Sequence, residues 1–161
     1  MLLQATFSLP AKHSQFTYAV EDRSSSLSST IQHPVILVVE DNIGNFKLIA
    51  RMLESLGAQC EWKTSGYEVV EFAETLPHID LILMDIRLPY EDGYSAMRKI
   101  RQHAQYNGIP IIAVTANTGV EQMNQAKLAG FDGFIGKPLD VDRFPEQINR
   151  ILSGQSVWEH N

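Results

Sequence analysis

The chain has one cysteine, Cys60, so no disulfide can form within it, and a reducing, cytoplasmic setting is expected. No apolar run approaches the about 18 residues needed to cross a bilayer, and no membrane association is expected. The N-terminus lacks the basic-then-apolar order of a signal peptide, because Lys12 follows Leu2, Leu3, Phe7 and Leu9. Basic residues are scarce. Thirteen Lys and Arg stand against 19 Asp and Glu, a net charge of −6. Nucleic-acid binding relies on cations that neutralise phosphates, so no nucleic-acid partner is expected. No internal repeat exceeds the strand–helix unit described below.

What is present suits one globular domain. Of 161 residues, 44% are hydrophobic and 20% charged. Leu81-Ile82-Leu83-Met84 runs unbroken into Asp85, the pattern of a strand buried on both faces of a parallel sheet. Val35–Val39 ends likewise in Glu40-Asp41, Ile109–Val114 in Thr115, and Phe134-Ile135 leads to Gly136-Lys137-Pro138. A second strand, about Ala58–Lys63, alternates Cys60 and Trp62 with charges and reads as an edge.

Helical stripes separate these runs. Asn42 is placed to cap a helix with Phe46, Ile49, Leu53 and Leu56 on one face, closed by Gly57. Ser65 is placed to cap a second, carrying Val69, Phe72, Ala73 and Leu76. A third spans about Gly93–His103, a fourth Val120–Ala129, and a fifth Val141–Leu152 with Pro145 in its first turn. The fourth is the least apolar and is expected to be the loosest. The alternation predicts an α/β fold, (βα)5, with a doubly wound parallel five-stranded sheet over residues 34–153. Residues 1–33 are serine-rich and aperiodic and are expected to form a disordered arm; Phe16, Tyr18 and Val20 alternate as a short strand or docking peptide would, but are read as apolar residues of that arm. Residues 154–161 are expected to be a tail.

In open α/β sheets ligands gather at the carboxyl ends of the strands. Glu40, Asp41 and Asp85 there would form an all-oxygen cluster, which suits Mg2+. A carboxylate is a competent nucleophile toward phosphorus, Lys137 offers a compact cation for a phosphate oxygen, and Thr115 offers a hydroxyl. Plainer roles are open to each: helix capping for the acids, strand propensity for Thr115, a surface position for Lys137.

Val38-Val39-Glu40-Asp41-Asn42, Leu83-Met84-Asp85-Ile86-Arg87-Leu88-Pro89 with Asp92-Gly93, Val114-Thr115-Ala116 and Lys137-Pro138 together resemble the receiver domain of two-component response regulators. The resemblance covers about residues 34–153. It implies a flavodoxin-like fold of strand order 2-1-3-4-5, and Asp85 as the aspartate phosphorylated by a histidine kinase or phosphotransfer protein. It implies Mg2+ bound by Asp41, Asp85 and the backbone carbonyl of Arg87, with Glu40 acting through water. Thr115 and Lys137 would contact the phosphoryl group. Phe134 takes the place of a rotating aromatic switch coupled to Thr115. Arg87 and Asn117 stand where the family sets phosphate lifetime. The residue at the first acidic position is Glu40, where Asp is also common.

The short termini suggest a stand-alone regulator whose signal leaves through the face of helix four, strand five and helix five, to a downstream protein or a homodimer. Catalysis is expected only as self-phosphorylation and self-dephosphorylation at Asp85. The Lys137-Pro138 bond is expected to be cis. A flavodoxin-type binding module is the first alternative, although Glu40-Asp41 would repel a phosphate. An aspartate-based phosphatase would want an acid where Arg87 stands. A degenerate receiver acting as an adaptor is the third.

Overall fold

A computed structural model describes residues 33–160. The expected N-terminal arm, with Phe16, Tyr18 and Val20, lies outside the described residues. Among the described residues there are six strands: β1 (Val35–Val39), β2 (Gln59–Lys63), β3 (Leu81–Met84), β4 (Ile111–Thr115), β5 (Gly133–Gly136) and β6 (Trp158–Glu159). They form one sheet in the order β2-β1-β3-β4-β5-β6, and every pairing is parallel. The expected 2-1-3-4-5 order holds, but the expected five-stranded sheet is corrected to six strands. The sixth comes from the segment read as a tail. Two residues are too few to show a strand period, and β6 is recognisable only because β5 leaves an edge to pair with.

Five α-helices among the described residues connect these strands: α1 (Ile43–Leu53), α2 (Val69–Glu74), α3 (Gly93–Arg101), α4 (Val120–Ala129) and α5 (Arg143–Leu152). Alternation along β1 builds the two layers. Leu37 and Val39 face α2, α3 and α4 through Val69, Ala73, Met97, Ile100 and Ala126. Ile36 and Val38 face α1 and α5 through Ile49, Leu53, Phe144, Ile148 and Ile151. The sheet is therefore buried on both faces, as its unbroken apolar runs require.

Local chemistry explains most boundaries. Asn42 caps α1, its side chain accepting from Asn45 N at 3.0 Å. Leu56 lies in a 3-10 turn that follows α1 and ends at Gly57, whose φ of 64° suits glycine. Ser65 does not cap α2; that helix is shorter than expected and begins after Glu68, which takes a φ of 52°. Ala126 is the only residue of α4 that is wholly buried, as its polar composition implies. No helix among the described residues is long and apolar enough to cross a membrane.

Candidate phosphoacceptor site

Parallel pairing places the carboxyl ends of β1, β3, β4 and β5 along one rim. Asp85 N donates to Val39 O at 2.9 Å, and Lys137 N donates to Thr115 O at 2.8 Å. These backbone bonds set the side chains that follow. Glu40 is only 2% exposed. Its Oε1 accepts from Asn42 N and Asn45 Nδ2, both at 3.1 Å, and its Oε2 accepts from Lys137 Nζ at 2.6 Å. Asp85 Oδ1 accepts from Arg87 N at 2.9 Å, and Oδ2 from Lys137 Nζ at 2.7 Å. Lys137, which precedes a cis proline as expected, thus bridges the ends of β1 and β3.

The loop beyond Asp85 depends on Gly93. A Cβ there would stand 2.3 Å from Asp85 O and 2.9 Å from Ile86 Cα, so a larger residue would push the loop off the site. Asp41 is exposed, yet one oxygen from each of Glu40, Asp41 and Asp85 falls within a 4.8 Å span. Thr115 is buried, and its Oγ1 accepts from Asn117 N at 3.3 Å. Arg87 and Asn117, both exposed, turn their backbone N–H groups onto the side chains two residues earlier.

Burial pushes the Asp85 carboxyl above its usual range, and the hydrogen bond and charge of Lys137 only partly oppose that. Burial would lower the Lys137 ammonium, but its contacts with Asp85 and Glu40 outweigh this and hold it above its usual value. Three carboxylates against one ammonium leave the cluster short of positive charge. A divalent, oxygen-seeking cation fits that donor set. Glu40, which accepts three hydrogen bonds against two for Asp85 and is the more buried of the two, is the least available for direct ligation.

Two supporting residues escaped the sequence reading. Trp62 Nε1 donates to Glu40 O at 2.7 Å, and its ring stacks on Phe46 at 5.0 Å. Asn45 holds the Glu40 carboxylate from the first turn of α1. The signal for Trp62 was its place on an edge strand beside β1, where Val38 is its register partner. Phe134 is wholly buried in β5 opposite Ala113, two positions before Gly136, the register partner of Thr115.

The parallel order β2-β1-β3-β4-β5, with this acidic rim, ammonium and buried hydroxyl at its carboxyl edge, is the arrangement that the resemblance to receiver domains implies. The chain belongs to the response regulator receiver domain family, which it matches over residues 36–149. The histidine-protein kinase BarA of Escherichia coli K12 is 34% identical over 145 residues, covering 90% of this chain but only 15% of BarA. The polar-differentiation response regulator DivK of Brucella ovis is 35% identical over 117 residues, covering 73% of this chain and 94% of DivK. Among solved structures, the receiver domain of the sensor histidine kinase PA1611 of Pseudomonas aeruginosa is 38% identical with a TM-score of 0.65. That match covers 76% of this chain and 97% of that one, and the PA1611 structure has a magnesium ion coordinated in its active-site cleft. Chemotaxis regulator CheY4 of Vibrio cholerae shares the fold at a TM-score of 0.69 and 24% identity, over 74% of this chain and 99% of that one. The protein is a receiver domain of two-component signalling.

Proposed function

We propose that Asp85 is the phosphoacceptor and that a histidine kinase or histidine phosphotransfer protein is the donor. The observation that carries this is the Lys137 bridge, which draws Asp85 and Glu40 onto one ammonium beside Asp41. An oxygen of Asp85 attacks phosphorus, the O–P bond forms, and the N–P bond of the donor phosphohistidine breaks with its electron pair returning to the imidazole nitrogen. Lys137 Nζ moves from Asp85 Oδ2 to an oxygen of the transferred group, and the Thr115 hydroxyl donates to another. Asp41, Asp85 and the Arg87 carbonyl, with Glu40 through water, would hold Mg2+. When bound, this ion offsets charge on the phosphoryl group.

Arg87 and Asn117 flank the site and are the residues we assign to phosphate lifetime. Hydrolysis at Asp85 ends the signal, with no other substrate turned over. The output face in this reading is α4, β5 and α5, with Thr115 and Phe134 as switch residues. A downstream protein or a homodimer through that face receives the signal in the cytoplasm.

The test is phosphorylation with a small acyl phosphate and Mg2+, read by intact mass. The wild type should gain one phosphoryl group and Asp85→Asn none. Equal labelling of both would remove Asp85 from the role.

A further inference from the structure

We infer that Trp62 is a positioning residue for the divalent cation: its indole N–H holds the Glu40–Asp41 peptide unit and thereby turns the Asp41 carboxylate toward Asp85. This rests on the metal reading proposed above and adds to it a residue of the edge strand.

β1 and β2 run in parallel register up to Val39 opposite Lys63. One further rung follows, from Glu40 N to Lys63 O at 3.0 Å. In a parallel ladder the N–H and C=O of one residue face the same neighbour. Glu40 O therefore faces β2, and its regular partner would be the N–H of Ser65, two residues beyond the end of that strand. Trp62 Nε1 takes that place, donating to Glu40 O at 2.7 Å. Glu40 is buried, so without the indole its carbonyl would be short of a donor.

The carbonyl of Glu40 and the N–H of Asp41 share one planar unit. With Glu40 N fixed by Lys63 and Glu40 O by the indole, both peptide units that meet at Glu40 are fixed. They set where the Cα–Cβ bond of Asp41 starts. That control matters because Asp41 is exposed and stands where the chain leaves the sheet. Asn42, the next residue, is committed to capping α1. The indole is itself clamped, its ring 5.0 Å from that of Phe46 in α1 and 7° from parallel to it. Trp62 thus ties β2, the end of β1 and the first turn of α1 together at the acid pair. It acts on the cation through Asp41, and metal-site residues of that kind are felt in affinity.

The test is calorimetric titration of Mg2+ into the full chain, in wild type, Trp62→Phe and Phe46→Leu, with thermal melts of the same proteins without metal. Trp62→Phe keeps a ring against Phe46 and loses the N–H. It should bind Mg2+ about tenfold more weakly than the wild type. Phe46→Leu removes the stack and keeps the donor. It should melt lower than the wild type yet bind Mg2+ within about twofold of it. Equal affinity in wild type and Trp62→Phe overturns the inference alone. Equal weakening in the two variants also overturns it, because ring packing and not the N–H would then set the affinity. A wild type that gives no saturable heat overturns the metal reading itself. Should Trp62→Phe not fold, Trp62→Met, which packs on a ring and carries no donor, takes its place with the same expected loss of about tenfold.

Discussion

Lys137 Nζ lies 2.7 Å from Asp85 Oδ2, across 52 positions of sequence, and the same nitrogen lies 2.6 Å from Glu40 Oε2. The ammonium is thus the counter-ion of two acids that arrive on different strands. Its removal leaves both without their cation in a largely buried place, which costs more than the pair itself contributes. Lys137→Ala should lose about 3 kcal/mol at pH 7 in urea melts. Added Mg2+ should recover more stability in this variant than in the wild type. A neutral effect of the substitution would mean that the bridge is not formed in solution.

Magnesium should raise the melting temperature of the wild type by mass action. At tenfold over its dissociation constant the gain is about 1.4 kcal/mol. Asp41 is the exposed member of the cluster, so Asp41→Ala should remove the effect with little change in basal stability. Wild type and Asp41→Ala shifting alike in a thermal scan would discard the metal site.

Trp62 reads the position of Glu40 directly, through the bond from its indole N–H to the Glu40 carbonyl. With Trp158→Phe in place, Trp62 is the sole tryptophan of the chain. Its emission should change on Mg2+ binding, and Asp41→Ala should flatten the response. A silent Trp62 in a protein whose melting temperature does respond would uncouple the indole from the cluster.

Hydrogen bonds from Gln147 and Arg150 hold the Glu159 carboxyl below its usual range. A carboxyl lowered in the folded state contributes stability above its unfolded pKa and loses it as pH falls through the folded value. The docking of β6 should therefore hold at neutral pH and loosen in acid, as pH falls below the ordinary glutamate range. In Trp62→Phe, Trp158 emission should shift to the red over that acid range, and Glu159→Gln should show the shifted emission already at neutral pH. An acid limb identical in both proteins would place the responsible group elsewhere.

Much of the fold is legible along the chain, because each strand of the core announces itself locally. Val35–Val39 and Leu81–Met84 are apolar without interruption since both faces are covered, and Asp85 follows because strand ends reach the rim. The weak burial of α4 and the cis bond before Pro138 were also open to local reading. The acids, the hydroxyl and the amine could be picked out individually, and strand order came through family resemblance.

What the sequence settles by itself is the set of groups at the rim and the alternation that carries them there. Residue type and period are properties of neighbours in the chain, and they need no knowledge of what lies across the sheet. Only the tertiary structure decides that one ammonium serves both Glu40 and Asp85, that Asn45 and Trp62 fasten Glu40, and that Val157–Glu159 seal β5. Each of these is a contact between segments whose separation in sequence carries no periodic signal. The two-residue β6 has no pattern of its own, and its strand character consists entirely of hydrogen bonds to a neighbour that the fold leaves unpaired.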